Sequence, residues 1–148
     1  MFIDINKIGP EGVRLDSELG LPDLEGAGGE LLPVRGATLS ATAFKGSRGA
    51  EIRGRLEATV GVVCSRCLEP LDEAVKADFF LLAVPQTVEQ PEQGNEDDPE
   101  EMARQDALLL VPDGRVDLEA VAAEQIYLNL SRKPICSGDC KGLCSGCG

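Results

Sequence analysis

Histidine and tryptophan do not occur in this chain, and aromatic residues make up only 3% of its 148 residues. The missing histidine excludes the commonest general base and any catalytic cysteine–histidine pair. The chain also contains no phosphate-binding glycine loop and no GxSxG or HExxH motif. We therefore expect no enzyme here and interpret the chain as a binding protein without a small-molecule substrate.

Long apolar stretches are missing as well, because no run is long enough to cross a bilayer. The first residues, MFIDINKIG, lack the basic and apolar regions of a signal peptide. We therefore expect a cytoplasmic location with no membrane contact. Cytoplasmic thiols stay reduced, so closely spaced cysteines there indicate metal ligands or redox groups before structural disulfides.

Basic residues are few: 14 Lys and Arg stand against 26 Asp and Glu, a net charge of −12. Such a chain is poorly suited to hold nucleic acid through its overall charge, so RNA contact needs a local basic patch or a basic protein as intermediary. Seven of the acids lie between Glu89 and Glu101, with no base among them. This composition predicts a mobile acidic loop over residues 85–107.

Residues 37–83 show the alternation of apolar and polar side chains that is typical of half-buried antiparallel strands. The turn sequences KGSRGA and CSRCLEP divide this region into three strands, which predicts a meander. We expect FIDINKI to form a further strand and LPDLEGAGGELLP to be a loop. The predicted inward positions are Ala37, Leu39, Ala41 and Ala43, then Ile52, Leu56, Ala58, Val60 and Val62, and finally Val75, Ala77, Phe79, Leu81 and Ala83.

A helix is predicted near the C-terminal end, because LLLVPDGRVDL indicates a short strand, a turn and a helix start capped by Asp117. Pro134 prevents this helix from continuing. Its apolar positions at helical spacing are Leu118, Val121, Ala122 and Ile126. The whole pattern predicts one α+β domain over residues 1–148. It combines an antiparallel β meander or partly open barrel-like sheet, one C-terminal helix and a cysteine-rich zinc-knuckle tail over residues 134–148.

All six cysteines occur at close spacings in two regions of the chain. A pair separated by two to four residues supplies two of the four ligands of a tetrahedral zinc site from one turn. An iron–sulfur cluster is also held by four thiolates, and we consider it the less favoured cofactor. The candidate metal ligands are Cys64 and Cys67 in CSRC, and Cys136, Cys140, Cys144 and Cys147 in the tail.

The choice of four ligands depends on what the ion connects. A site that joins two distant pairs closes the long stretch between Cys67 and Cys136 and fixes the tail to the sheet. We therefore favour Cys64 and Cys67 with two tail cysteines, and Cys136 and Cys140 are the first choice. A site formed by the tail alone is the alternative. In the favoured arrangement Cys144 and Cys147 have no complete site of their own.

Two other functions remain open from the cysteines alone. One is thiol redox chemistry or metal handling by the tail cysteines, and the other is a generic zinc-ribbon module for protein interaction. A thioredoxin-type CxxC normally lies at a helix N-terminus within a βαβ unit, whereas CSRC lies between predicted strands. The surroundings therefore favour a structural metal site.

The cysteine-containing segments resemble the YceD family, the large ribosomal RNA subunit accumulation proteins of bacteria and plastids. The resemblance covers roughly residues 35–148 and rests on three segments of the chain. It is carried by VVCSRCLEP with a following FF strand, by DLEAVAAEQIYLNLSRKPICS, and by DCKGLCSGCG, which is similar to the family's CKGLCPxCG. Relatives without the CKGLC portion keep the CxRC pair and a pair after the helix. The resemblance therefore implies Cys64, Cys67, Cys136 and Cys140 as the core set.

The resemblance implies a non-catalytic role in 23S rRNA accumulation or processing and in assembly of the large ribosomal subunit. The implied partner is a precursor of that subunit, contacted through basic ribosomal proteins or through 23S rRNA itself. Two local basic regions suit RNA contact, although a solvated strand face is the alternative reading of the second. They are Arg132, Lys133 and Lys141 in the tail, and Arg53 and Arg55 on a strand.

Overall fold

The computed structural model describes residues 1–26, 28–85, 107–143 and 146. Most of the predicted acidic loop, residues 86–106, therefore lies outside the described residues. The described part contains nine strands, a 3-10 turn at Ile5–Lys7 and one α-helix, α1, at Leu118–Asn129. The strands are β1 Phe2–Asp4, β2 Val13–Leu19, β3 Leu24–Glu25, β4 Leu31–Leu32, β5 Val34–Lys45, β6 Ala50–Val63, β7 Pro70–Val84, β8 Leu108–Leu110 and β9 Arg115–Asp117.

A five-stranded sheet in the order β2-β5-β6-β7-β8 forms the body of the protein. Strands β2, β5, β6 and β7 pair antiparallel, and β8 lies parallel to β7. As far as its described strands extend, the sheet is open, with β2 and β8 at its two edges, and does not close into a barrel. The predicted inward positions on β5, β6 and β7 are all buried except Leu81, which is half-buried.

The N-terminal third differs from the predicted pattern. FIDINKI is only partly a strand, because the Asp4 carboxylate accepts a hydrogen bond from the Asn6 N–H at 3.0 Å and starts the 3-10 turn. The predicted loop LPDLEGAGGELLP contains the β3–β4 hairpin, whose two-residue strands are too short to show periodicity. Edge strand β2 was not predicted, and among the described strands it pairs with β5 alone.

Helix α1 covers the inner face of the sheet, where it packs on β7 and β6. The Asp117 carboxylate accepts a hydrogen bond from the Glu119 N–H at 3.0 Å, which confirms the predicted N-cap. The four predicted apolar positions of the helix are all buried. None of the helices in the described ranges has the length and apolar character that a bilayer-spanning helix needs.

The helix–sheet contact predicts a large difference between two side chains of α1. Replacing Ile126, which is fully buried, with alanine is expected to lower the free energy of unfolding by about 2 to 5 kcal/mol through lost burial and a residual cavity. Leu128→Ala is the matched control, because that leucine is 69% exposed. Urea denaturation of both variants measures the difference, and equal destabilisation would contradict this packing.

Candidate metal centre

The first two cysteines lie in the turn between β6 and β7, at one end of the sheet. Cys64 directly follows β6, and its N–H donates to the Glu69 carbonyl at 2.9 Å. The Leu68 N–H donates back to the Cys64 carbonyl at 2.9 Å, and Leu68 has a left-handed φ of 62°. The two long strands thus end in a tight turn that carries the thiols of Cys64 and Cys67.

The tail returns to this turn directly after the helix. The backbone N–H and the hydroxyl of Ser131 both donate to Glu73 Oε1, at 2.9 and 2.5 Å. The Ser65 N–H then donates to the Pro134 carbonyl at 2.8 Å. These bonds bring the tail alongside the turn, so that cysteines 69 to 76 positions apart in sequence become neighbours.

Four sulfur atoms meet where the turn and the tail touch. The Sγ atoms of Cys64 and Cys140 are 3.8 Å apart, and those of Cys67 and Cys136 are 3.6 Å apart. All four Sγ atoms lie within 4.8 Å of one another, and none is in a disulfide. A tetrahedron with metal–sulfur bonds of about 2.3 Å has edges of about 3.8 Å. The cluster therefore has the dimensions of a tetrathiolate metal site.

Backbone N–H groups from both segments surround the most deeply buried sulfur. Cys64 Sγ accepts hydrogen bonds from the N–H groups of Arg66 and Cys136, each at 3.4 Å. Such bonds stabilise a thiolate and orient it toward the ion. The hydrogen bonds to the Cys64 sulfur therefore come from the tail as well as from the turn, and the turn alone does not supply all of them.

Arg66 holds the far side of the tail. Its guanidinium donates to the Cys140 carbonyl at 3.1 Å, and its own carbonyl accepts from the Leu143 N–H at 3.1 Å. Gly142 has a left-handed φ of 78°, and a Cβ there would lie 3.2 Å from the Arg66 carbonyl oxygen. The Arg66 side chain is thus bonded to the backbone of the tail.

The thiols differ strongly in acidity. The N–H groups of Cys67, Cys136 and Arg66 lower the pKa of Cys64 to about 6. A bond from the Glu69 N–H favours the Cys67 thiolate, but Cys64 and burial outweigh it and raise the pKa of Cys67 to about 12. The Cys140 side chain, foremost, raises the pKa of Cys136. The cluster by itself resists a second negative charge, and only a cation allows further thiols to ionise.

The predicted first-choice set is the one that the fold brings together: Cys64, Cys67, Cys136 and Cys140. Cys144 and Cys147 lie outside the described residues, so their place among the ligands stays a prediction. Glu73, which anchors the tail through Ser131, was not among the residues predicted from the sequence. The sequence feature that could have indicated Glu73 is a carboxylate two residues before Val75 on β7. Alternate residues of a strand share a face, so this carboxylate lies on the same inward side as Val75.

Comparison with known proteins gives a family and several relatives. A family model described as "Large ribosomal RNA subunit accumulation protein YceD" matches residues 52–148. Uncharacterized proteins of Mycobacterium bovis and of two Mycobacterium tuberculosis strains are each 30% identical over 103 residues. The aligned region covers 69% of this chain and 45% of those proteins, so the chain spans about half their length. No solved structure matches this chain.

The sulfur geometry predicts one divalent metal ion per chain in reduced, tag-free protein, measured by elemental analysis. Cys64→Ser and Cys136→Ser should each lose the ion, because three thiolates are left in a site built for four. Ser137→Ala is the matched control in the same tail, since its hydroxyl is exposed and is not a ligand. Metal that survives Cys64→Ser would place the ion entirely in the tail and contradict this assignment.

Metal affinity is expected to rise with pH. The raised pKa values leave Cys67 and Cys136 protonated at neutral pH without metal, so binding must release at least two protons. The apparent association constant should therefore increase by at least about 100-fold per pH unit between about pH 6.5 and 7.5. Competition with a chelator of known pH dependence measures this slope. A slope of zero would show that the thiols are already ionised.

Proposed function

The chain belongs to the YceD family of large ribosomal RNA subunit accumulation proteins, and we propose that it is a non-catalytic, zinc-binding factor that supports 23S rRNA accumulation and large-subunit assembly. The family match over residues 52–148 carries this proposal, because it includes most of β6, all of β7, the helix and every cysteine. The family name indicates the process, which is accumulation of large-subunit ribosomal RNA. The four-thiol cluster indicates metal binding as the chemical property of this chain.

Zinc is the ion we propose for the cluster. Four thiolates at tetrahedral spacing form the usual ligand set of structural zinc, which has no redox chemistry of its own. Sulfur–sulfur distances of 3.6 and 3.8 Å suit a single ion, whereas a multi-iron cluster would hold its ligands further apart. Iron in place of zinc in the elemental analysis would contradict this choice.

The proposed role of the zinc ion is to fold the tail. Residues 131–143 contain no fully buried side chain, so hydrophobic burial contributes little to their order. The two pairs of ligands lie on either side of a stretch from Cys67 to Cys136, and the ion closes this stretch. Metal binding then replaces the core that this segment lacks.

A structural ion is also the reason we propose no catalysis. Four protein ligands fill the tetrahedron and leave no position for water or substrate, which a catalytic zinc site needs. The lowered pKa of Cys64 is the observation that favours a thiol redox function instead. However, the Cys64 side chain is fully buried, and a redox thiol must be reached by its partner.

Basic ribosomal proteins and 23S rRNA are the partners we propose. The net charge of −12 favours contact with basic proteins, which are abundant around ribosomal RNA. The tail adds Arg132, Lys133 and Lys141, which are all exposed near the metal centre. Contact of these cations with RNA would then depend on the ion that orders the tail.

The proposed function predicts an effect on 23S rRNA in bacteria that lack their own family member. Expression of this chain should restore the ratio of 23S to 16S rRNA, and the protein should sediment with large-subunit precursors. A Cys64→Ser, Cys136→Ser double variant should do neither, because its tail is no longer fixed, while Ser137→Ala should behave like the unchanged chain. Electrophoresis of total RNA and gradient sedimentation are the measurements. An unchanged 23S level with well-expressed protein would contradict the role.

A further inference from the structure

Phenylalanine is distributed unusually in this protein. The chain has only four phenylalanines, and just one of the four, Phe79, is buried. Phe2, Phe44 and Phe80 are 57%, 47% and 40% exposed. Aromatic side chains gain more from burial than most others, so exposed rings that share a face with unpaired cations are candidates for contact with a ligand.

Two of these rings belong to the outer face of the main sheet, which is turned away from helix α1. Phe80 on β7 lies opposite Arg53 on β6, which lies opposite Thr42 on β5. Phe44 is two residues further along β5, next to the β5–β6 turn. With strands about 4.8 Å apart and about 3.4 Å per residue, the backbones of Phe44 and Phe80 are roughly 12 Å apart. The metal centre lies at the other end of β6.

Unpaired cations gather around the two rings. The Arg53 guanidinium lies 5.6 Å from the centre of the Phe80 ring, within the range of a cation–π contact. Within the described ranges, no carboxylate forms an ion pair with Arg53 or with Arg48 in the adjoining β5–β6 turn. The other cations of this face are each paired with an acid: Arg14 with Asp16, Arg35 with Asp72, Arg55 with Asp78, and Lys76 with Glu57.

The local charge is therefore opposite to that of the whole chain. Residues 45–53 carry three cations and one acid, Glu51, whereas the chain has a net charge of −12. The rings are separated by Arg53 and Glu51, so they do not form the continuous apolar patch that a protein partner would cover. Separate aromatic rings among free cations suit a ligand that alternates flat apolar groups with negative charges.

We propose that Phe44, Arg53 and Phe80 form a platform for single-stranded RNA, on which unpaired bases stack while Arg53 and Arg48 of the adjoining turn contact phosphates. Single-stranded RNA offers such bases, whereas an RNA duplex keeps its bases stacked inside the helix. The separation of the two rings means that each takes a different base. This inference rests on the proposed function and deepens it, because it names the form of RNA that the chain contacts.

The test is fluorescence anisotropy with a labelled oligoadenylate and with an RNA duplex of the same length. The chain should bind the single strand more tightly than the duplex. Phe44→Ala with Phe80→Ala should weaken single-strand binding by about tenfold or more, because stacking on both rings is lost. Arg53→Ala should weaken it too, and Arg53→Lys should restore part of the loss by retaining the charge.

Phe2→Ala is the matched control. Phe2 is also exposed and lies 5.2 Å from a guanidinium, that of Arg115, but it belongs to the separate β1–β9 sheet. It should leave RNA binding unchanged. Thermal unfolding of all variants should match the unchanged chain, since each replaced side chain is exposed.

Several outcomes would overturn the platform. The first is failure of the unchanged chain to bind the single strand, and the second is equally tight binding by the Phe44→Ala, Phe80→Ala double variant. The third is that the double variant no longer sediments with precursors although the unchanged chain binds no RNA. The last would assign the face to a protein partner. Restoration of 23S rRNA by the double variant would overturn the platform and leave the proposed function intact. If the unchanged chain binds single-stranded RNA but does not restore 23S rRNA, the platform stands and the proposed function is contradicted.

Discussion

Repulsion between thiolates is the constraint on which the functional end of this protein depends. Four sulfur atoms within 4.8 Å of one another cannot all ionise without a cation between them. The fold brings them together through backbone bonds such as Ser65 N–H to the Pro134 carbonyl, but residues 131–143 bury no side chain fully. A divalent ion bound between them would turn this repulsion into attraction, and its binding free energy would become folding free energy of the tail.

The sheet supplies the rigid support for that site. Strands β6 and β7 pair over fourteen positions from Ala50 to Val63, and their turn carries Cys64 and Cys67. The inner face of the sheet is rich in alanine and aliphatic side chains, and the buried side of α1 packs on it. Because the helix ends close to the same turn, the tail reaches the metal centre within a few residues. Glu73 secures this path by accepting two hydrogen bonds from Ser131.

The outer face of the sheet and the candidate metal centre present different chemical groups at the surface of the molecule. Ion pairs such as Arg55 with Asp78 neutralise the middle of the outer face. Among the described residues, cations without an ion-pair partner lie near both ends of the sheet. Those near the β5–β6 turn lie close to aromatic rings, and those in the tail lie close to the thiol cluster at the β6–β7 turn. An acidic protein can approach RNA only through such local exceptions, because its net charge opposes the contact.

The inward face of each long strand, the helix with its Asp117 cap and the six candidate ligands could all be predicted from the residues, because periodicity, capping and cysteine spacing are local properties. The same patterns did not reveal β2 as an edge strand, the β3–β4 hairpin or the role of Glu73. The meeting of Cys136 and Cys140 with Cys64 and Cys67, and the shared exposed face of Phe44 and Phe80, became visible only in the folded chain. These facts depend on pairing between distant segments, and periodicity along the chain carries no information about which distant segments meet.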